Sequence, residues 1–281
     1  MNERELTGYP SIDKPWQQYY SEAALHAPLP ACTVWENIYE RNKARPDDTA
    51  LLYFGKKISY GKLFSEVDRT ARALAHLGVK NGDNAAVCMP AVPEAIYTIL
   101  ALNKLGANAG MLNPTFSEAQ LTERVNEMEA DVLLAVNELY PVGHNVILKT
   151  TVRHVVTCPA VNSLGAFARL AKKAKPIPGT ISWNTFIRQG QGTAYEIAPY
   201  EKQKPAIMVF SSGTTGASKG IQLTNDGINA TICEYENGGF GFKRQDIYSA
   251  QIPIWFSTGI SVTMLTPLAF GIVVMLEPVY D

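Results

Sequence analysis

The sequence predicts an α/β protein built of stacked, mostly parallel βαβ sheets with flanking helices. Short, largely apolar runs at Ala85–Met89, Asp131–Val136, His154–Cys158 and Pro205–Phe210 have the length of strands buried on both faces. Between several of them lie segments with apolar residues at helical spacing, opened by a proline or capping residue or closed by a glycine. Such alternation implies parallel strands joined by helical crossovers.

The elements follow in chain order. The region through Arg45 carries Trp16, Tyr19, Tyr20 and Trp35 among several prolines and is expected to drape over a core. A hairpin is expected over Leu51–Tyr60, turning near Gly55-Lys56-Lys57. Leu63, Val67, Ala71, Leu74 and Ala75 then fall on one helical face, with Gly78 as the stop. Pro93 opens a helix that runs to Leu105 and closes at Gly106. Ser117-Glu118-Ala119-Gln120 has the form of a capping box and starts a third helix, to about Glu129. A basic segment punctuated by Gly and Pro, Lys172–Gly192, separates an expected first unit, 1–193, from a second, 194–281. The second unit reads strand, loop, helix, strand, helix, strand. Its first helix is expected from an Asn225 cap to about Glu236.

Composition narrows the classes. At 281 residues and 46% hydrophobic, the chain can bury one large core or two smaller ones. Its net charge is −1 with acids and bases interspersed, which argues against a nucleic-acid surface. Cysteines 32, 88, 158 and 233 are far apart and lack zinc-site spacing, so no metal site is expected, and a reduced cytoplasmic setting is. The opening Met1–Leu6 has no apolar signal segment. Ile247–Leu276 carries no charge, but Pro253, Gly259, Pro267 and Gly271 cut it into two strands, Ile247–Pro253 and Gly271–Leu276, around a helix at Thr258–Ala269. No transmembrane span is expected, although peripheral membrane contact stays open.

The run Phe210-Ser211-Ser212-Gly213-Thr214-Thr215-Gly216-Ala217-Ser218-Lys219-Gly220 holds the densest chemistry. Its glycines allow positive φ and close approach of the backbone, its hydroxyls and peptide N–H groups converge on an anion, and Lys219 adds a flexible point charge. This is the chemistry of a polyphosphate cradle. A flexible Gly/Ser linker is the plain alternative, yet linkers seldom follow a buried strand directly. The Walker spacing fails, because Ser218 precedes Lys219 and Gly220 follows it. Ser212 has no spacing motif to pair it with His26, His76, His144 or His154, so no nucleophile is assigned.

The run resembles the phosphate loop of the acyl-adenylate-forming (AMP-binding) superfamily. It departs from the family pattern at Ser218, where proline is usual, and at Asn225, where histidine is. Ile58-Ser59-Tyr60-Gly61-Lys62-Leu63, Leu77–Asp83, and Leu105-Gly106-Ala107 followed by Asn113-Pro114 are similar to further family segments, in the same order. Ile252–Gly259 occupies the place of a segment near the acyl and adenylate groups, with Phe256 where histidine is frequent. Ser182–Phe186 and the Tyr9–Pro30 region look most like bacterial long-chain fatty-acid–CoA ligases.

The resemblance implies the N-terminal portion of the acetyl-CoA-synthetase-like fold, truncated and without the C-terminal domain that carries the family lysine. It implies a full-length ATP-dependent acid–thiol ligase using Mg²⁺ and coenzyme A, which forms acyl-AMP from a carboxylic acid, a fatty acid by the finer likeness. Ser211, Ser212, Gly213, Thr214, Thr215, Gly216, Lys219 and Gly220 would hold the β- and γ-phosphates. Trp255, Phe256 and Gly259 would line the acid pocket, with plain core packing as the alternative for the two aromatics, and no residue of this stretch would be catalytic. The fragment alone is expected to be inactive and to self-associate through surface left open. An aryl- or amino-acid-adenylating enzyme, or a non-catalytic nucleotide-binding or interaction module, is the alternative.

Overall fold

In the computed structural model, which describes residues 7–138, 140, 145–164, 177–210 and 219–278, the strands form two sheets. The smaller holds, in spatial order, β10 (Ile247–Ala250), β11 (Val273–Leu276), β1 (Thr49–Tyr53) and β2 (Lys56–Ser59). The larger holds β7 (Ile181–Ser182), β6 (His154–Cys158), β5 (Val132–Val136), β3 (Asn84–Cys88), β4 (Asn108–Met111), β8 (Pro205–Phe210) and β9 (Gly220–Thr224). All neighbours run parallel except β1 with β2 and β8 with β9. Each sheet thus takes strands from both sides of residue 193.

The apolar runs are continuous because each strand feeds two cores. Ala85 and Val87 of β3 join one buried cluster and Ala86 and Cys88 another; β5 divides the same way, Val132, Leu134 and Val136 against Leu133 and Ala135. The first cluster also takes in Leu51 of β1 and Val274 of β11, so it spans both sheets. The helices α4 (Tyr60–His76) and α5 (Pro93–Leu105) pack together in that shared core, and α5 is buried along its whole length. The glycine stop is real: Gly106 caps α5 at φ 72°, a left-handed conformation that costs glycine little. The hairpin is also as expected, its two turn residues Phe54 and Gly55 at φ 45° and 78°, the signs a tight primed turn requires. Helix α6 (Glu118–Glu127) starts at the Ser117/Gln120 capping box, with both reciprocal bonds formed.

Three expectations need correction, and a fourth, a helix, is borne out with a local change. The N-terminal region leaves Trp16, Tyr19 and Tyr20 outside, but Val34–Asn42 is an ordered helix, α3, with Trp35 buried at its start. Thr33 and Glu36 close a capping box there, which fixes the start of the helix by local bonds. The basic segment before residue 193 contains β7 and a helix, α8 (Trp183–Gln189), whose Trp183, Phe186 and Ile187 join the main core. The expected helix Thr258–Ala269 is a continuous helical run from Ser257 to Phe270 whose middle, Ser261–Leu265, is π-helical. The strand expected at Ile247–Pro253 ends at Ala250.

Candidate functional site

The context of the donor-rich loop is strand, loop, strand, helix rather than strand, loop, helix. Strand β8 runs parallel to β4 and ends at Phe210; β9 returns antiparallel beside it, with Phe210 paired to Gly220. Residues 211–219 therefore join two bonded neighbours at the carboxyl ends of the parallel strands, the edge at which α/β sheets bind ligands. Ser211, Ser212, Gly213, Thr214, Thr215, Gly216 and Ser218 lie outside the described residues. Lys219 and Gly220 are described, and both are exposed. A Cβ on Gly220 would stand 3.1 Å from Met208 Sδ and 3.6 Å from the Phe210 ring, so glycine lets the return strand cross these side chains. The guanidinium carbon of Arg124 lies 5.5 Å from the centre of the Phe210 ring, at the loop's entry.

Strand β9 also changes the role of Asn225. Helix α9 (Asn225–Asn237) is capped by Thr224, whose hydroxyl accepts from Gly227 N at 3.1 Å. Asn225 is buried instead, and its Oδ1 accepts from Val34 N at 3.0 Å and from Asn103 Nδ2 at 2.9 Å. One turn on, Asn229 accepts from Asn37 Nδ2 at 2.9 Å and donates to Cys32 O at 2.8 Å. The helix behind the loop is thereby bonded to α3 and α5. Sequence reasoning missed this anchor; the i, i+4 pair of asparagines facing one way was its visible signal.

The second group of expected site residues follows β10, at the carboxyl end of the smaller sheet. Trp255 is half-buried and Phe256 is 49% exposed, their ring centroids 6.2 Å apart. Gly259 is buried behind them, and a Cβ there would fall 1.9 Å from the carbonyl oxygen of Pro253. Glycine is thus required for the helix to start under this aromatic pair. The π-turn that follows lets Thr266 Oγ1 donate to Ser261 O, five residues back, at 2.8 Å. Such turns recur beside functional sites. The phosphate and acid-pocket candidates thus sit on different sheets, each at a carboxyl edge.

The cysteines at the carboxyl ends of β3 and β6, Cys88 and Cys158, are buried. Burial alone pushes the Cys88 thiol up to about 12, and burial, helped by Glu94 and Glu138, raises that of Cys158. Among the described residues no group of three His, Cys, Asp or Glu side chains could hold a metal ion, and no helix is long and apolar enough to cross a membrane. The flanks of the loop offer donors and positive charge. Such a set suits phosphate oxygens rather than a cation.

Comparison with known proteins agrees with this layout. The family model described as AMP-binding enzyme matches residues 38–280. Acetyl-coenzyme A synthetase 1 of Candida albicans is 30% identical over 234 residues, covering 80% of this chain and 35% of its own length. Acetyl-coenzyme A synthetase of Pyrobaculum arsenaticum is 32% identical over 221 residues, 77% of this chain and 33% of its own. Among solved structures, an anthranilate CoA ligase in complex with anthranoyl-AMP superposes with TM-score 0.78 at 22% identity, over 91% of this chain and 46% of that one. A long-chain-fatty-acid-CoA ligase from Archaeoglobus fulgidus superposes with TM-score 0.75 at 19% identity, over 90% and 48%. At such identities the structures speak for the fold alone. The chain spans about a third of the length of these curated relatives and just under half of these solved ones. The family match over most of the sequence, with the sheets and loop position described above, makes this chain a member of the AMP-binding enzyme family.

Proposed function

We propose that this chain is the nucleotide-binding N-terminal part of an ATP-dependent acyl-CoA ligase. The observation that carries the reading is the hydroxyl- and glycine-rich loop strung between paired strands at a carboxyl sheet edge, with Lys219 at its exit. In the proposed reaction a carboxylate attacks the α-phosphorus of ATP, releasing pyrophosphate and leaving acyl-AMP. The thiol of coenzyme A then displaces AMP. Such displacement depends on positioning and on charge stabilisation, and a loop rich in hydroxyl and peptide N–H donors supplies both for the outgoing polyphosphate.

Ser211, Ser212, Gly213, Thr214, Thr215, Gly216, Lys219 and Gly220 hold the β- and γ-phosphates in this reading, and none acts as nucleophile or base. Mg²⁺ enters only as the counter-ion carried by ATP. Trp255 and Phe256, backed by Gly259, line the side that receives the acid. The chain holds the polyphosphate in a reduced cytoplasmic setting.

The acid is an aliphatic monocarboxylate. The likeness of Ser182–Phe186 and the N-terminal region to fatty-acid ligases favours a long one, whereas the acetyl-coenzyme A synthetase relatives favour a short one. Carboxylate-dependent ATP–pyrophosphate exchange tests both, using the chain completed to the length of its relatives with acetate, octanoate, palmitate and benzoate. Exchange with one of the aliphatic acids is expected. No exchange with any of the four sinks the ligase reading, and exchange with benzoate alone replaces the aliphatic acid with an aryl one.

A further inference from the structure

Beside the candidate phosphate loop, helix α6 turns a cation inward. Leu121 and Val125 of α6, with Met128 just past its end, belong to the second buried cluster. Arg124 stands three residues after Leu121 and four before Met128, on the edge of that apolar stripe. Its side chain is 14% exposed, against 66% for Glu123 and 38% for Glu127 beside it. A long cationic side chain on a surface helix ordinarily carries its head out to water. This one lies against the end of a strand instead.

What it meets there is Phe210, the last residue of β8. The Phe210 ring packs on the same buried cluster, and the guanidinium carbon of Arg124 lies 5.5 Å from its centre, within the reach of a cation–π contact. Arg124 Nη1 donates to Glu127 Oε2 at 2.5 Å, and Glu123 Oε1 lies 3.4 Å from Nη2. These carboxylates pin the guanidinium and offset its charge toward a distant anion. The ring in turn reaches both ends of the loop. The loop departs from Phe210, whose backbone pairs with Gly220 at the return, and the edge of the same ring lies 3.6 Å from where a Gly220 Cβ would stand. A ring held by Arg124 therefore fixes departure and return together. Fixing them in advance removes part of the ordering cost of binding a ligand.

We propose that Arg124 is a positioning residue for the phosphate loop: it holds the Phe210 ring, and through the ring it sets both ends of the loop for the polyphosphate of ATP. It acts through the ring and not on the phosphates. The proposal rests on the assignment of the loop to ATP made above.

Isothermal titration calorimetry of the 281-residue chain with MgATP tests it, using wild type, Arg124→Met, Arg124→Lys, Phe210→Leu and the double variant Arg124→Met with Phe210→Leu. Arg124→Met keeps an unbranched side chain without its charge and is expected to weaken binding about fivefold. Arg124→Lys returns a cation to the ring and is expected to bind within about twofold of wild type. Phe210→Leu is expected to weaken binding as well. Because Arg124 acts through the ring, the double variant is expected to bind no more weakly than Phe210→Leu alone. Equal binding by wild type and Arg124→Met overturns the proposal, as does a lysine variant as weak as the methionine one. A further loss of about fivefold in the Phe210→Leu background also overturns it, by marking a direct pull on the phosphates. A wild-type chain that does not bind MgATP overturns the assignment of the loop and this proposal with it, so the two failures are told apart.

Discussion

Single residues here do work that their type alone does not announce. Gly259 was legible as a breaker of the uncharged run, but the reason for it, a Pro253 carbonyl oxygen where its Cβ would be, exists only once the chain folds. Gly259→Ala forces backbone apart and is expected to cost about 3 kcal/mol in urea unfolding, at the upper end of usual overpacking penalties. Asp68 is a second case. Burial favours protonation of its carboxyl, but donation from the Tyr195 hydroxyl, from Arg72 Nε at 2.9 Å and from Lys104 Nζ at 3.3 Å outweighs it and holds the value below the ordinary one. A carboxyl depressed in the folded state stabilises above its unfolded value of about 3.9 and loses that contribution as pH falls through the folded value. Asp68→Asn is therefore expected to lower unfolding stability at neutral pH, with the gap to wild type closing below about pH 4. A gap that stays constant into acid contradicts the assigned bonds. Glu94 shows the opposite limit of legibility: a carboxylate in a first helical turn reads as a dipole partner, and its orphaned oxygen emerges only when Asn162 and Ser163, 68 and 69 residues away, close over it.

At the scale of elements, those with a strong local signal were read correctly. Hairpin β1–β2, helices α4 and α5 and the α6 capping box all carry their own start or stop residues. Strand β9 does not. Gly220-Ile221-Gln222-Leu223-Thr224 is short and largely exposed, and its extended form comes from pairing with β8. The miss mattered, because β9 turns the candidate phosphate loop into a hairpin connection with both ends fixed. Helix α3 was hidden by the aromatic and proline content around it, although Thr33 and Glu36 stood at capping-box spacing. Thr33→Ala is expected to lose about 1 kcal/mol of stability, the usual worth of such a cap. Because α3 also meets Asn225 and Asn103 through Val34 N and Trp35 N, the loss should appear in the global unfolding transition and not as local fraying.

For the whole molecule, the class of fold was legible because strands buried on both faces leave an unbroken apolar run, and among the described residues eleven strands in two sheets are arranged around helices as that pattern demands. The assignment of strands to sheets was not legible. It depends on contacts such as Leu51 with Val274, more than two hundred residues apart, which no local spacing encodes. The site was legible as chemistry, a loop of donors and one lysine, and less so as geometry. The central claim is that this loop grips the polyphosphate of ATP, and the most direct measurement is a titration of the 281-residue chain with MgATP beside its Lys219→Ala variant. Saturable binding that weakens about tenfold in the variant, a loss of about 1.4 kcal/mol, is the predicted result. Binding of equal strength in both proteins, or none in either, would contradict it.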